Sequence, residues 1–165
     1  MTTWSTELPE PRDFANIRLL RVPANGTLIG ILTSEDVHGC RTHWDRYRTQ
    51  PCPGEHDCPL CLVGTPWRWQ GWVSLLSQIS DRQIVVQVSP LAAQALKEIR
   101  EKYGHIRGLL TQFSRATKRP NGRILVDARQ LPKPIEHLPP PVDIQHYMEM
   151  IWQAKQDLDG NGGAR

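Results

Sequence analysis

At 165 residues, with 39% hydrophobic residues and a formal net charge of +3, the chain is long enough to bury a core of its own within one domain. Its apolar runs are fragments such as Leu28 to Leu32, far below the length of a membrane-spanning helix, so no membrane segment is expected. Met1 to Arg12 is polar and acidic, unlike a secretory signal, and the expected compartment is a reducing cytoplasm.

Asn16 to Val22 alternates as a strand and is expected to form a hairpin with Thr27 to Thr33 across the turn Pro23-Ala24-Asn25-Gly26. Residues 35–64 have no periodicity of their own; a bound metal would explain how such a stretch is ordered in a compact domain. Trp67 to Gln78 reads as a long strand, with Gly71 marking a bulge or bend. Asp81-Arg82 turns the chain into Gln83 to Val88, where Ile84, Val86 and Val88 share a face. Ser89 as N-cap and Pro90 in the first turn open a helix with an apolar stripe of Leu91, Ala95, Leu96 and Ile99, and Gly104 closes it. Ile106 to Thr117 and Arg123 to Arg129 form a last hairpin around Pro120-Asn121-Gly122. The prolines of residues 131–142 favour an extended linker. Asp143 then caps an amphipathic helix over 143–158, with Ile144, Tyr147, Met148, Ile151 and Trp152 on one stripe and a flexible tail at 159–165. That stripe either folds back on the domain or docks on another subunit or protein.

These elements suit a mainly β protein: a small OB-like barrel over residues 1–130, with a zinc-binding insertion at about 35–64, one helix before the last hairpin and a C-terminal helix.

All four cysteines fall between Cys40 and Cys61, in a segment that also holds His38, His43 and His56. Such crowding of soft ligands among glycine and proline is the signature of a structural zinc site. Cys58 and Cys61, at the spacing that lets one tight turn present two thiolates, are the firmest pair, and Cys52 adds a third sulfur. The fourth ligand comes from His38, Cys40, His43 or His56. His43 is favoured and Cys40 is the main alternative, since His43 leaves room for a loop to Cys52 and precedes Trp44, which would shield the metal. A disulfide pair or a redox Cys-x-x-Cys fits a cytoplasmic chain with four clustered thiols less well.

Charge is unevenly spread. Residues 100–133 carry nine basic side chains against Glu101 and Asp127, which suggests one face meant for a polyanion. No phosphate loop, nucleophile elbow or dense carboxylate cluster is present, so an enzyme is not expected.

His43, Cys52 and Cys58-Pro-Leu-Cys61, followed by the aromatic and basic run Trp67-Arg68-Trp69-Gln70-Gly71-Trp72, resemble the zinc-containing single-stranded DNA-binding proteins of the T-even phages. The resemblance covers about His38 to Trp72. It implies an OB-fold with a structural zinc beside a DNA cleft and a role in replication, recombination or repair. The C-terminus lacks the strongly acidic tail common in that family, so recruitment of partners through such a tail does not carry over.

A single-strand binder needs cations for phosphates and flat rings on which bases stack. Trp72, flanked by Arg68, is the best stacking candidate on its strand, with packing as the alternative; Trp67 and Trp69 are expected in the core. Phe113 between Arg107 and Arg115 repeats the pairing of ring and cation. Lys118, Arg119 and Arg123 surround the last turn, and Trp44, Arg46 and Arg48 extend the groove from the zinc loop. Single-stranded DNA is the expected ligand. RNA, or a protein-interaction role within a larger nucleoprotein complex, is the alternative.

Overall fold

The computed structural model describes residues 16–160, of which residues 154–160 are described by backbone alone. The acidic N-terminal stretch and the end of the expected tail lie outside the described residues.

The longest strand, β5 (Trp67–Ser77), organises the sheet. On one edge it pairs with β6 (Gln83–Val88), and β1 (Arg18–Arg21) lies parallel on the far side of β6. The other edge is shared. β2 (Thr27–Leu32) takes the C-terminal half, with Ile31 opposite Leu76, and β3 (His38–Trp44) takes the N-terminal half, with Gly39 opposite Gly71. β4 (Thr49–Pro51) adds to β3; β7 (Leu110–Arg115) and β8 (Ile124–Arg129) continue outward from β2. The helices are α1 (Pro59–Leu62), α2 (Pro90–Tyr103) and α3 (Ile144–Gly160).

The result is an eight-stranded mixed sheet in the order β1-β6-β5-β2-β7-β8, with β3 and β4 off that path. It is mainly β, as expected, but it is not a closed barrel. β1 occupies the outer edge of β6, and no pairing joins β1 to β8 among the described residues.

The expected hairpin between Asn16–Val22 and Thr27–Thr33 does not form: β1 pairs in parallel with β6, Leu19 opposite Val85. Both edges of β2 are already taken by β5 and β7. Beside β6, moreover, β1 sits between two apolar layers, so Leu20 packs into one core and Leu19 into the other.

Those layers lie on opposite faces of the sheet. On one face Val73, Leu75, Ile84, Val86 and Val88 pack with Phe113 and with Ala92 and Leu96 of α2. Ser89 Oγ accepts the Ala92 amide at 3.3 Å and Gly104 ends the helix in a left-handed conformation (φ 80), as the sequence indicates. On the other face Trp72 and Val85 pack against Val142, Ile144, Tyr147 and Met148 of α3 and its approach. Asp143 Oδ1 accepts the His146 amide at 3.1 Å, capping α3.

The C-terminal helix therefore folds back on its own sheet. The proline-rich segment before it has no element of its own, yet it is tied down. Arg107 donates to the carbonyls of Thr33, Leu138 and Pro139, and Gln83 Nε2 donates to Pro140 O at 2.8 Å. Among the described residues no helix is long and apolar enough to cross a membrane.

Candidate metal centre and groove

Residues 35–64, aperiodic in sequence, hold β3, β4 and α1. The composition of β3, His-Gly-Cys-Arg-Thr-His-Trp, has little of a strand about it; its backbone partners come from β5. That pairing carries His43 inward, where it is 1% exposed. β4 returns the chain to place Cys52, whose amide donates to Arg41 O at 2.9 Å. Cys58 then caps α1, whose first residue is Pro59, and Cys61 follows within the turn.

The ligand atoms of His43, Cys52, Cys58 and Cys61 all lie within 4.8 Å of one another. Cys52 Sγ is 3.6 Å from Cys61 Sγ, and Cys61 Sγ is 3.3 Å from His43 Nε2. A tetrahedral ion with metal–ligand bonds of about 2.0–2.3 Å separates its ligands by roughly 3.5–3.8 Å, so the four residues fit a small metal ion. The outer shell agrees. His43 Nδ1 lies 3.2 Å from Pro66 O, an acceptor only, so in the neutral ring Nδ1 carries the proton and Nε2 keeps its lone pair for the metal. Burial first, then the adjacent Cys52 and Cys58 sulfurs, push Cys61 up to about 12. Burial works against ionising Cys58 too, but the Cys61 and Leu60 amides outweigh it and bring its pKa below the ordinary thiol value. A cation held among them would supply the charge that lets both ionise.

Cys40, the alternative fourth ligand, stays outside this cluster and packs on the α3 side of the sheet. It stands three positions before His43, and an odd spacing puts two strand residues on opposite faces. His38 and His56 are exposed and also outside the cluster.

The β3–β4 hairpin also forms one wall of a groove of about 550 Å³ between that hairpin, β1 and α3. Trp44, Tyr47, Arg48 and Thr49 line it from the hairpin, Arg21 and Gln87 from β1 and β6, and Met148, Ile151 and Trp152 from α3. Among the described residues, no carboxylate lines it. Trp44 is 56% and Tyr47 88% exposed. Asp45 sets the loop: its Oδ1 accepts the amides of Tyr47 at 3.0 Å and Arg48 at 2.8 Å, while Gln50 Nε2 donates to Oδ2 at 2.7 Å. The Arg48 amide is the main reason that the Asp45 pKa falls below the ordinary carboxylate value. Arg46 follows in a left-handed conformation (φ 79), and Arg48 Nε also pairs with Asp45 at 3.5 Å.

Two expected stacking contacts need correction. Trp72 is 3% exposed, edge-on to Trp152 with ring centroids 5.7 Å apart, and Phe113 is 0% exposed; core packing has claimed both rings, so neither is a stacking platform. Arg107 is committed to three backbone carbonyls of the linker and of Thr33. Arg115 Nε donates to Val22 O at 3.1 Å and Nη1 to Gly122 O at 2.6 Å.

Arg68, Lys118, Arg119 and Arg123 are exposed. Trp67, expected in the core, is 44% exposed, with the Arg41 guanidinium 4.2 Å from its ring centroid. Trp69 lies over the facing Gly39 and Gly71, where a Cβ would collide with its indole.

Two groove residues were not foreseen from the sequence. Tyr47, between Arg46 and Arg48, carried a legible pattern of ring and cations. Arg21 became visible only when β1 was placed beside β6.

Compared with known proteins, the chain matches no family model, no curated protein and no solved structure.

Proposed function

We propose that this protein binds single-stranded DNA and carries a structural zinc ion, serving replication, recombination or repair. The observation that carries this reading is the groove: two exposed rings, Trp44 and Tyr47, beside Arg21 and Arg48, with no carboxylate in the lining among the described residues. Rings without base-specific partners stack on any base, and guanidinium groups neutralise phosphates.

The metal site supports this indirectly. Three thiolates and one imidazole favour zinc over harder cations, and four protein ligands leave no open position for catalysis. His43 precedes Trp44, and Cys52 follows β4, so ligation pins both ends of the hairpin that presents the rings. Zinc here acts on the shape of the groove wall. The topology is compatible with an open relative of the OB-fold in which β2 is the first strand. The path β6-β5-β2-β7-β8, with α2 between β6 and β7, then has the strand order and helix position of that fold. The metal-bearing hairpin falls in its first loop, one of the loops OB-folds use for oligonucleotides.

The test is a fluorescence-anisotropy titration of metal-loaded protein with single-stranded DNA, duplex DNA and RNA of equal length. Preference for single-stranded DNA, with tryptophan quenching, is the expected result. Trp44→Ala should cost about 1–3 kcal/mol, a loss of roughly fivefold to more than a hundredfold in affinity. Equal or tighter binding of RNA would reassign the ligand, and indifference to all three would leave the hairpin as a protein-docking surface.

A further inference from the structure

Beyond the groove, a second concave surface of about 580 Å³ lies at the turn end of the β7–β8 hairpin. It is lined by Ala24, Asn25 and Gly26 on one side and by Arg115, Thr117 and Lys118 on the other. Among the described residues its lining holds two cations and no carboxylate. The short chain segment between them shows how near the two concavities are. Arg21 lines the groove and Ala24 lines the second surface, and three residues span at most about 10 Å of chain. Between them, Val22 O accepts from Arg115 Nε, which fixes that guanidinium against the end of β1.

We infer that Arg21 and Arg115 join the two concavities into one track, along which a single strand passes from the rings of the groove to Lys118 and Arg119 at the hairpin. The inference rests on the single-strand reading above and adds to it a second contact region and a minimum ligand length.

Electrostatics favours an anion at the junction. Arg21 donates to the neutral Gln87, and Arg115 to two carbonyls, whereas Arg41, Arg48 and Arg100 each pair with a carboxylate. Burial, and after it the charge of Arg21, lowers the pKa of Arg115, so the two guanidinium groups sense each other across the junction. A phosphate between them relieves that repulsion. At about 3.4 Å per stacked nucleotide, a span of at most about 10 Å between the linings is a step of no more than roughly three nucleotides. A ligand confined to the groove does not reach the hairpin, whereas a longer one does.

The experiment compares oligothymidylates of about 4 and about 12 nucleotides, within the range of footprints known for such folds, on the full metal-loaded chain over a series of salt concentrations. The wild-type protein should bind the longer strand at least tenfold tighter and with a steeper salt dependence. The double variant Lys118→Glu, Arg119→Glu should abolish that length advantage and leave the affinity for the short strand within about twofold. Arg21→Gln should weaken both, because every strand that enters the groove meets it. An unchanged length advantage in the double variant, or equal losses at both lengths, overturns the track. If the wild type binds neither strand, the single-strand reading itself fails, and the track with it.

Discussion

The two halves of β5 are held in place by different physics. Its C-terminal half, Val73 to Ser77, is buried except for the half-buried Leu76, and Val73 and Leu75 lie in the apolar cluster that includes α2. Its N-terminal half, Trp67 to Gly71, carries β3, β4 and the cysteine loop, a region with almost no core. From Glu35 to Pro66 the fully buried residues are Thr42, His43 and Cys58. Apolar burial stabilises the first region by many small increments. The second has in its place four candidate metal ligands and the sheet edge it borrows. One continuous sheet thus joins a region with a large apolar core to a region whose interior is a cluster of four candidate metal ligands.

Removing the metal should separate them most sharply. Ligation in small zinc modules contributes on the order of 10–16 kcal/mol, far more than the apolar contacts of this hairpin offer. Chelation, or Cys58→Ser, should erase amide protection across β3, β4 and α1 and leave that of β6 and α2 in place. Hydrogen exchange followed by mass spectrometry reads this directly; uniform loss over the whole chain would mean that the regions are one cooperative unit. The reverse break is Phe113→Ala in the fully buried core, expected to lower global stability by about 3–5 kcal/mol in denaturant titration. Metal content under native conditions should stay at one ion per chain.

Gly71→Ala acts at the seam. A Cβ there would sit 2.5 Å from the Trp69 ring, and overpacking of this kind costs about 1–3 kcal/mol. Both regions should lose protection together, and a seam that transmits nothing would show loss around Trp69 alone. The smallest effect belongs to Asp45→Ala, which removes acceptors from the Tyr47 and Arg48 amides. Loss of such a local cap costs about 1 kcal/mol, confined to the loop. The melting temperature should hardly move while affinity for single-stranded DNA falls; unchanged affinity would detach the loop from binding.

Much of this architecture was legible in residue patterns. The caps Ser89, Gly104 and Asp143 act locally, through backbone groups within a few residues, and so announce α2 and α3 reliably. The metal cluster was readable for a similar reason, because cysteine and histidine are scarce residues and seldom crowd together except around a shared ion. β3 was not legible, since its strand conformation is imposed by pairing with β5 over His38 to His43. The aromatic residues misled in both directions. Alternation along β5 correctly put Trp72 on the face opposite Val73 but said nothing of what covers that face, and α3 covers it.

The sequence by itself determined the local events: which residues start and stop helices, where chain turns fall, and which side chains are chemically suited to hold a metal. Tertiary structure decided the non-local ones. It set β1 parallel on β6, chose His43 over Cys40 by strand parity, buried Trp72 and Phe113, and left Trp44, Tyr47 and Arg21 around the groove. The physical reason is that burial and strand pairing depend on which surfaces meet. That choice is made by competition among all the apolar faces of the chain at once, which no short window of sequence contains.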